Sequence, residues 1–207
     1  MMARERNPES SKKDILAAAE MEFSAKGFYG ARVDVIAETA NINKRMIYAY
    51  FGDKEALYKY VLSNVYARME QVEQVLVEAG YSGKELVKRI IATYFDFLKE
   101  NPTFVNLLMW ENLNHGHYLN EIESSKIERS TISFFVDELR KGKESGEFRK
   151  DIDEWQTTVS LITTCFANFS NQYTLSKLFH KQLGDPKMIE QRKQHTTDMV
   201  LAYLCEK

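Results

Sequence analysis

Two short apolar-striped segments only three residues apart constrain this chain more than any other feature. In residues 33–40, Val33, Ile36, Ala37 and Ala40 share one stripe at helical spacing; in residues 44–51 only Ile47 and Phe51 share an apolar face. Asn41-Ile42-Asn43 joins them, too short for anything but a tight turn. The Asn43 side chain is suited to accept from the first-turn amides of the second segment, and Gly52 supplies its stop. Neither helix is long enough for a core of its own, so they must pack on each other, as a helix-turn-helix does. With Ile47 and Phe51 turned inward, Arg45, Met46, Ala49 and Tyr50 take the opposite face, with Lys44 and Tyr48 between. A bare face of basic, aromatic and small residues suits the major groove of a duplex. Lys44-Arg45 alone would read equally as a solvated surface pair; the upstream helix is what favours the groove reader.

The rest of the chain narrows the class. With three prolines, nine glycines and no strand-like alternation, 207 residues at 44% hydrophobic content predict an all-α protein with room for two cores. No run approaches a membrane span and the N-terminus lacks a signal-peptide core, so a cytoplasmic protein is expected, nucleoid-associated when bound to DNA. Cys165 and Cys205 have no zinc-type spacing and read as free thiols. No phosphate loop, nucleophile elbow or zinc-hydrolase motif appears, so neither an enzyme nor a cofactor is expected. His115-x-His117 with Glu111 one turn earlier is a conceivable metal corner, but a solvated helix end is favoured and no metal is expected. The net charge is −2, and residues 1–55 carry nine Lys and Arg against nine Asp and Glu. Attraction to a polyanion therefore depends on local placement of Lys12, Lys13, Arg32, Lys44, Arg45 and Lys54, with a clear but not extreme salt dependence.

The quoted residues also fit a known pattern. Gly27-Phe28, Val33-x-x-Ile36-Ala37, Ala40-x-Ile42-x-Lys44, Ile47-Tyr48-x-Tyr50-Phe51 and Lys54-Glu55 together resemble the N-terminal domain of the tetracycline-repressor (TetR) family over roughly residues 10–58. The resemblance implies a three-helix helix-turn-helix domain, residues 1–55, joined by a long helix to a C-terminal helical bundle, residues 56–207, that binds ligand and dimerises. It implies DNA contacts from Arg32, Lys44, Arg45, Met46, Tyr48, Ala49, Tyr50 and Lys54. Two departures stand out. Arg32 occupies the helix start where a capping hydroxyl is usual, which forfeits a cap worth about 1 kcal/mol. Arg45 replaces a small residue, and a guanidinium there can read a guanine edge bidentately.

Further along, residues 1–9 read as a loose polar arm, in which Arg4 and Arg6 could reach DNA. Helices are expected over about 10–26, 53–79, 82–100 (with Ser82 and Glu85 as a capping box), 102–115, 119–145 (Ile127 inward), 153–180 and 186–205. The aromatic-rich second domain suits a mostly apolar ligand cavity. Phe97, Trp110, Phe134, Phe166 and Phe169 are the expected walls, with Glu111 as a polar anchor and Asn114, Asn168 and Gln172 as further candidates. The 153–180 helix carries two stripes and needs two partners. One is its own core; the other, with Leu161, Cys165, Gln172, Met188, Arg192, His195 and Met199, is a second copy of the chain. The expected function is a ligand-responsive repressor that binds a pseudo-palindromic operator as a homodimer and is released by a small, mostly apolar or aromatic effector. The alternative is a regulator without such an effector, an activator or one controlled by a partner.

Overall fold

The computed structural model describes residues 7–122 and 130–205. They form α1 (Pro8–Gly30), α2 (Val33–Thr39), α3 (Lys44–Phe51), α4 (Lys54–Glu78), α5 (Gly83–Glu100), α6 (Pro102–Leu113), a 3₁₀ turn at Leu119–Glu121, α7 (Ser130–Ser145), α8 (Glu154–Ser170), α9 (Gln172–Phe179) and α10 (Pro186–Cys205). No strand occurs among the described residues. They fall into two compact units. One comprises the chain up to Ala67 and the stretch following Val105; the other comprises Arg68–Val105 and 130–205. Both α4 and α6 therefore begin in one unit and end in the other.

In the first unit α1 starts earlier than the expected polar arm allows. Asn7 Oδ1 accepts from Glu9 N–H at 3.1 Å and Pro8 occupies the first helical position, where its missing N–H costs nothing. Arg4 and Arg6 lie outside the described residues. Ile15, Ala19 and Phe23 of α1 join Ile36, Ile47 and Phe51 as a buried core. Asn41, at φ 52°, makes the left-handed turn that ends α2, and Ile42 N–H reaches back to the Ala37 carbonyl at 3.0 Å.

The C-terminal half of α6 belongs to this unit, and contacts remote in sequence hold it there. Gly27 breaks α1 at φ 66°, ψ 178°, a region essentially reserved for glycine, and a Cβ there would lie 2.7 Å from the Trp110 ring. The Trp110 indole N–H donates to the Ser24 carbonyl at 3.2 Å. Glu111, 1% exposed, accepts from the Tyr58 hydroxyl at 2.9 Å and the Leu119 N–H at 3.1 Å. Burial and the Glu111 charge push the Tyr58 hydroxyl far above its ordinary pKa, so it remains a donor. Tyr118 completes the cluster, its ring 4.5 Å from that of Phe28 and 5.1 Å from that of Tyr58.

In the second unit α5 packs against α7, α8 and α10, and α8 against α7 and α10. Three expectations need correction. Ser82 makes no side-chain cap; the Glu147 carboxylate accepts from Lys84 N–H at 2.9 Å instead, and Glu85 pairs with Arg89. The helix expected over 119–145 opens instead with a 3₁₀ turn whose N–H groups bond back within the Glu111 corner and which ends in extended backbone at Ile122; α7 is described over Ser130–Ser145, and Ile127 lies outside the described residues. The helix expected over 153–180 is two, because at Asn171 (φ −107°, ψ 8°) the chain leaves helical geometry and the side-chain amide bonds back to the Ala167 carbonyl.

Substitution of two glycines tests the Trp110 packing. Gly146, at φ 79°, has nothing within 4 Å of an added Cβ, so Gly146→Ala should cost only backbone strain, about 1–2 kcal/mol. Gly27→Ala meets the more restricted backbone region and must also displace the indole, so it should cost about 1–3 kcal/mol more in urea unfolding; equal midpoints for the two variants would show that neither the backbone nor the ring resists a Cβ on this turn.

Candidate functional site

Eight residues of α3 make the most distinctive surface. Asn43 Oδ1 accepts from Arg45 N–H at 2.9 Å, fixing the helix start. Ile47 and Phe51 are 0% and 7% exposed and hold the helix down. Arg45, Tyr48 and Ala49 are exposed, and Lys44, Met46 and Tyr50 half-buried. Three cations here have defined neighbours. Lys44 Nζ lies 2.7 Å from the Asp34 carboxylate, which lowers the Asp34 pKa and raises that of Lys44. Lys12 lies 5.8 Å from the centroid of the Tyr50 ring, and Lys54 lies 4.8 Å from that of Phe28, its pKa lowered by partial burial. Arg32 begins α2 without a side-chain cap, as the sequence suggests; its own N–H is taken by the Glu22 carboxylate at 3.1 Å. Arg32 is exposed; of the eight expected DNA-contacting residues six belong to α3, while Arg32 precedes α2 and Lys54 opens α4.

The expected ligand residues fall in both units. A cavity of about 20 Å³ in the second unit is lined by Glu73, Leu76 and Val77 of α4, Leu86, Ile90 and Tyr94 of α5, Thr131, Ile132, Phe134 and Phe135 of α7, and Thr158 and Ile162 of α8. Of the six expected residues only Phe134 lines it. Trp110 and Glu111 are engaged in the first unit, as described above. Phe97 and Phe169 are buried, packed edge-on against Phe104 and Phe95, and Phe166 is half-buried without lining the cavity. The polar groups at this cavity are ones the sequence reading did not single out as a site. Glu73, 4% exposed, accepts from the Tyr94 hydroxyl at 2.6 Å through Oε1 and from the Thr131 hydroxyl through Oε2. One signal for Glu73 was available: it shares the buried stripe of Met69 and Leu76 at i, i+4, i+7.

The expected dimer residues divide differently. Leu161 and Cys165 are 1% and 0% exposed within this chain, and Leu161 also lines one of the open grooves described next. Burial pushes the Cys165 thiol up to about 12. Gln172, Met188 and Arg192 are half-buried, and His195 and Met199 are exposed. Two open grooves run here. One, of about 390 Å³, is lined by Gln156, Ser160, Thr164, Met199 and Tyr203 among others, and one of about 620 Å³ by Asn168, Leu175, Phe179, Lys181 and Arg192 among others. Exposed apolar side chains, Trp155, Val159, Tyr173, Leu178, Phe179, Met199 and Tyr203, occupy α8, α9 and α10. Glu111 is turned to Tyr58, and His117 lies 3.6 Å from Glu121; among the described residues no three metal-ligating side chains come together. No helix among them is long and apolar enough to cross a membrane.

Comparison with known proteins agrees with this geometry. Residues 15–61 match the family model described as bacterial regulatory proteins, tetR family, and residues 84–200 match that of the tetracyclin repressor-like C-terminal domain. The HTH-type transcriptional repressor NicS of Pseudomonas putida is 30% identical over 183 residues, 88% of this chain and 86% of NicS. The structure of the ketosteroid transcriptional regulator KstR2 of Mycobacterium tuberculosis superposes with a TM-score of 0.72 at 20% identity, covering 95% of each chain. The transcriptional regulator FadR of Bacillus subtilis, solved in complex with stearoyl-CoA, superposes with a TM-score of 0.70 at 18% identity, covering 93% of this chain and 99% of FadR. Helix-turn-helix geometry, an all-helical second unit and both family matches lead to one assignment: the chain belongs to the tetR family of DNA-binding transcriptional regulators.

Proposed function

We propose that this chain is a ligand-responsive transcriptional repressor that binds a pseudo-palindromic operator as a homodimer and is released by a small, mostly apolar effector. Residues 1–55 make the operator contacts, and residues 56–207 bind the effector and pair two copies. The observation that carries the reading is the outward face of α3, held by Ile47 and Phe51 and presenting Arg45, Tyr48 and Ala49. Two such helices about 34–36 Å apart enter successive major grooves. Arg32, Lys44 and Lys54 serve phosphates, Met46 and Tyr50 flank the reading face, and Arg45 reads a base edge. NicS, a repressor by name, supports the sign of control, and the stearoyl-CoA complex of FadR supports a ligand.

A cavity of about 20 Å³ holds little more than one water, whereas effector sites are typically about 300–1,000 Å³. An effector therefore binds only as α4 and α7 part. That is the condition for control, because a ligand shifts an equilibrium only through its differential affinity for the two states. The helix that moves, α4, is continuous with the residues following the recognition helix. The small cavity also favours the second reading, a regulator that answers to no small molecule. Titrating ligands against operator binding separates the two: effector control expects a loss of affinity of about 5- to 150-fold, and a ligand that fills the cavity without changing operator affinity removes that clause.

Two further outcomes follow from the proposed surfaces. With the operator recovered by selection from random duplexes, Arg45→Ala should relax preference at one base pair per half-site by about 5- to 150-fold; uniform weakening on every sequence would instead place Arg45 on phosphate. Met199→Asp combined with Tyr203→Glu should shift sedimentation towards the monomer and weaken operator binding. A dimer surviving both substitutions would assign these side chains to another role.

A further inference from the structure

We infer that the open groove between the end of α8, α9 and the start of α10 binds an organic anion, a carboxylate on an apolar aryl or alkyl body, at a site separate from the cavity between α4, α5, α7 and α8. The groove, of about 620 Å³, falls within the range of small-molecule sites. Among the described residues its lining holds two cations, Lys181 and Arg192, and no acid. Neither cation forms an ion pair with a described carboxylate. Nearby acids in the sequence are engaged elsewhere: Glu190 pairs with Lys193 at 2.9 Å, and Asp185 caps α10 by accepting from the Lys187 and Met188 N–H groups at 2.9 and 3.3 Å. Two like charges lining one groove disfavour each other, and a bound anion relieves this. A third feature does not depend on charge. Asn168, 5% exposed, lines the groove, and its Nδ2 is buried without a hydrogen-bond partner. Such orphaned donors are uncommon in folded proteins, and a carboxylate oxygen is the acceptor this one lacks. Arg192 offers a planar fork that matches a carboxylate, and Lys181 a mobile point charge. Leu175, Phe179 and Leu183 supply apolar walls for the body of the ligand. An ammonium entering here would meet two charges of its own sign.

A matched trio with one body and three head groups tests the inference: 4-phenylbutyrate, 4-phenylbutanol and 4-phenylbutylamine, titrated calorimetrically into the full-length protein at neutral pH and low salt. The carboxylate should bind about tenfold or more tighter than the alcohol, with the amine weakest. Lys181→Gln and Arg192→Gln should each weaken the carboxylate about threefold or more while leaving the alcohol within about twofold, and the double variant should lose the preference. Sedimentation and circular dichroism follow pairing and fold. Should Arg192→Gln alter either, Lys181→Gln decides alone, because its side chain is exposed and lies outside the expected pairing residues. Equal binding of carboxylate and alcohol to the wild type overturns the inference. A preference unchanged by Lys181→Gln or by the double variant places the anion elsewhere and also overturns it. If none of the three binds at millimolar concentration, the groove is not a ligand site. The effector cavity stands or falls separately, on the operator titration above.

Discussion

Everything outward-facing on α3 depends on two side chains that point the other way. A helix of eight residues is far below the length at which an isolated helix is stable in water. Ile47 and Phe51 supply what the backbone cannot, because burying each removes apolar surface worth about 1.5–3 kcal/mol from water. Asn43 caps one end and Gly52 turns the chain at the other. Anchored at these points, the helix can leave Arg45, Tyr48 and Ala49 bare without weakening itself. The first unit extends the same economy: α1, α2 and α3 have small faces, and the halves of α4 and α6 that pack with them enlarge the core.

The electrostatics of this surface are local. Residues 1–55 are neutral as a set, so net charge alone does not draw them indiscriminately onto a polyanion. Lys44 is already paired with Asp34, and Lys54 is partly buried over Phe28. An anion approaching these cations must compete with those neighbours, which disfavours a single contact more than several made together.

What was legible in the sequence was local. The limits of α3, the Asn43 cap, the absent cap at Arg32 and the inward set of Ile15, Ala19, Phe23 and Ile36 follow from spacing within a few residues. Trp110 and Glu111 were read as cavity walls because an aromatic and an acid on an amphipathic helix do not reveal which neighbour they meet; their partners, Ser24 and Tyr58, lie 86 and 53 residues away. Leu161 and Cys165 show the same limit: a helix with two stripes does not say which one its own core takes, and both side chains are buried within this chain. Asn171 shows another limit. Its side chain competes with the helix for backbone partners, and a stripe continuing to Tyr173 hid the break.

The way α6 is divided has a consequence for anyone wishing to isolate the recognition module. A fragment truncated after residue 67 would retain α1, α2, α3 and most of α4, yet lose Trp110, Glu111 and Tyr118. Gly27 would then sit beneath an empty slot, the Tyr58 hydroxyl would lose its acceptor, and Phe28 would lose the ring that covers it. The helix-turn-helix module is contiguous in the exposed residues of α3 and discontinuous in its hydrophobic interior, so it is not separable by a single cut.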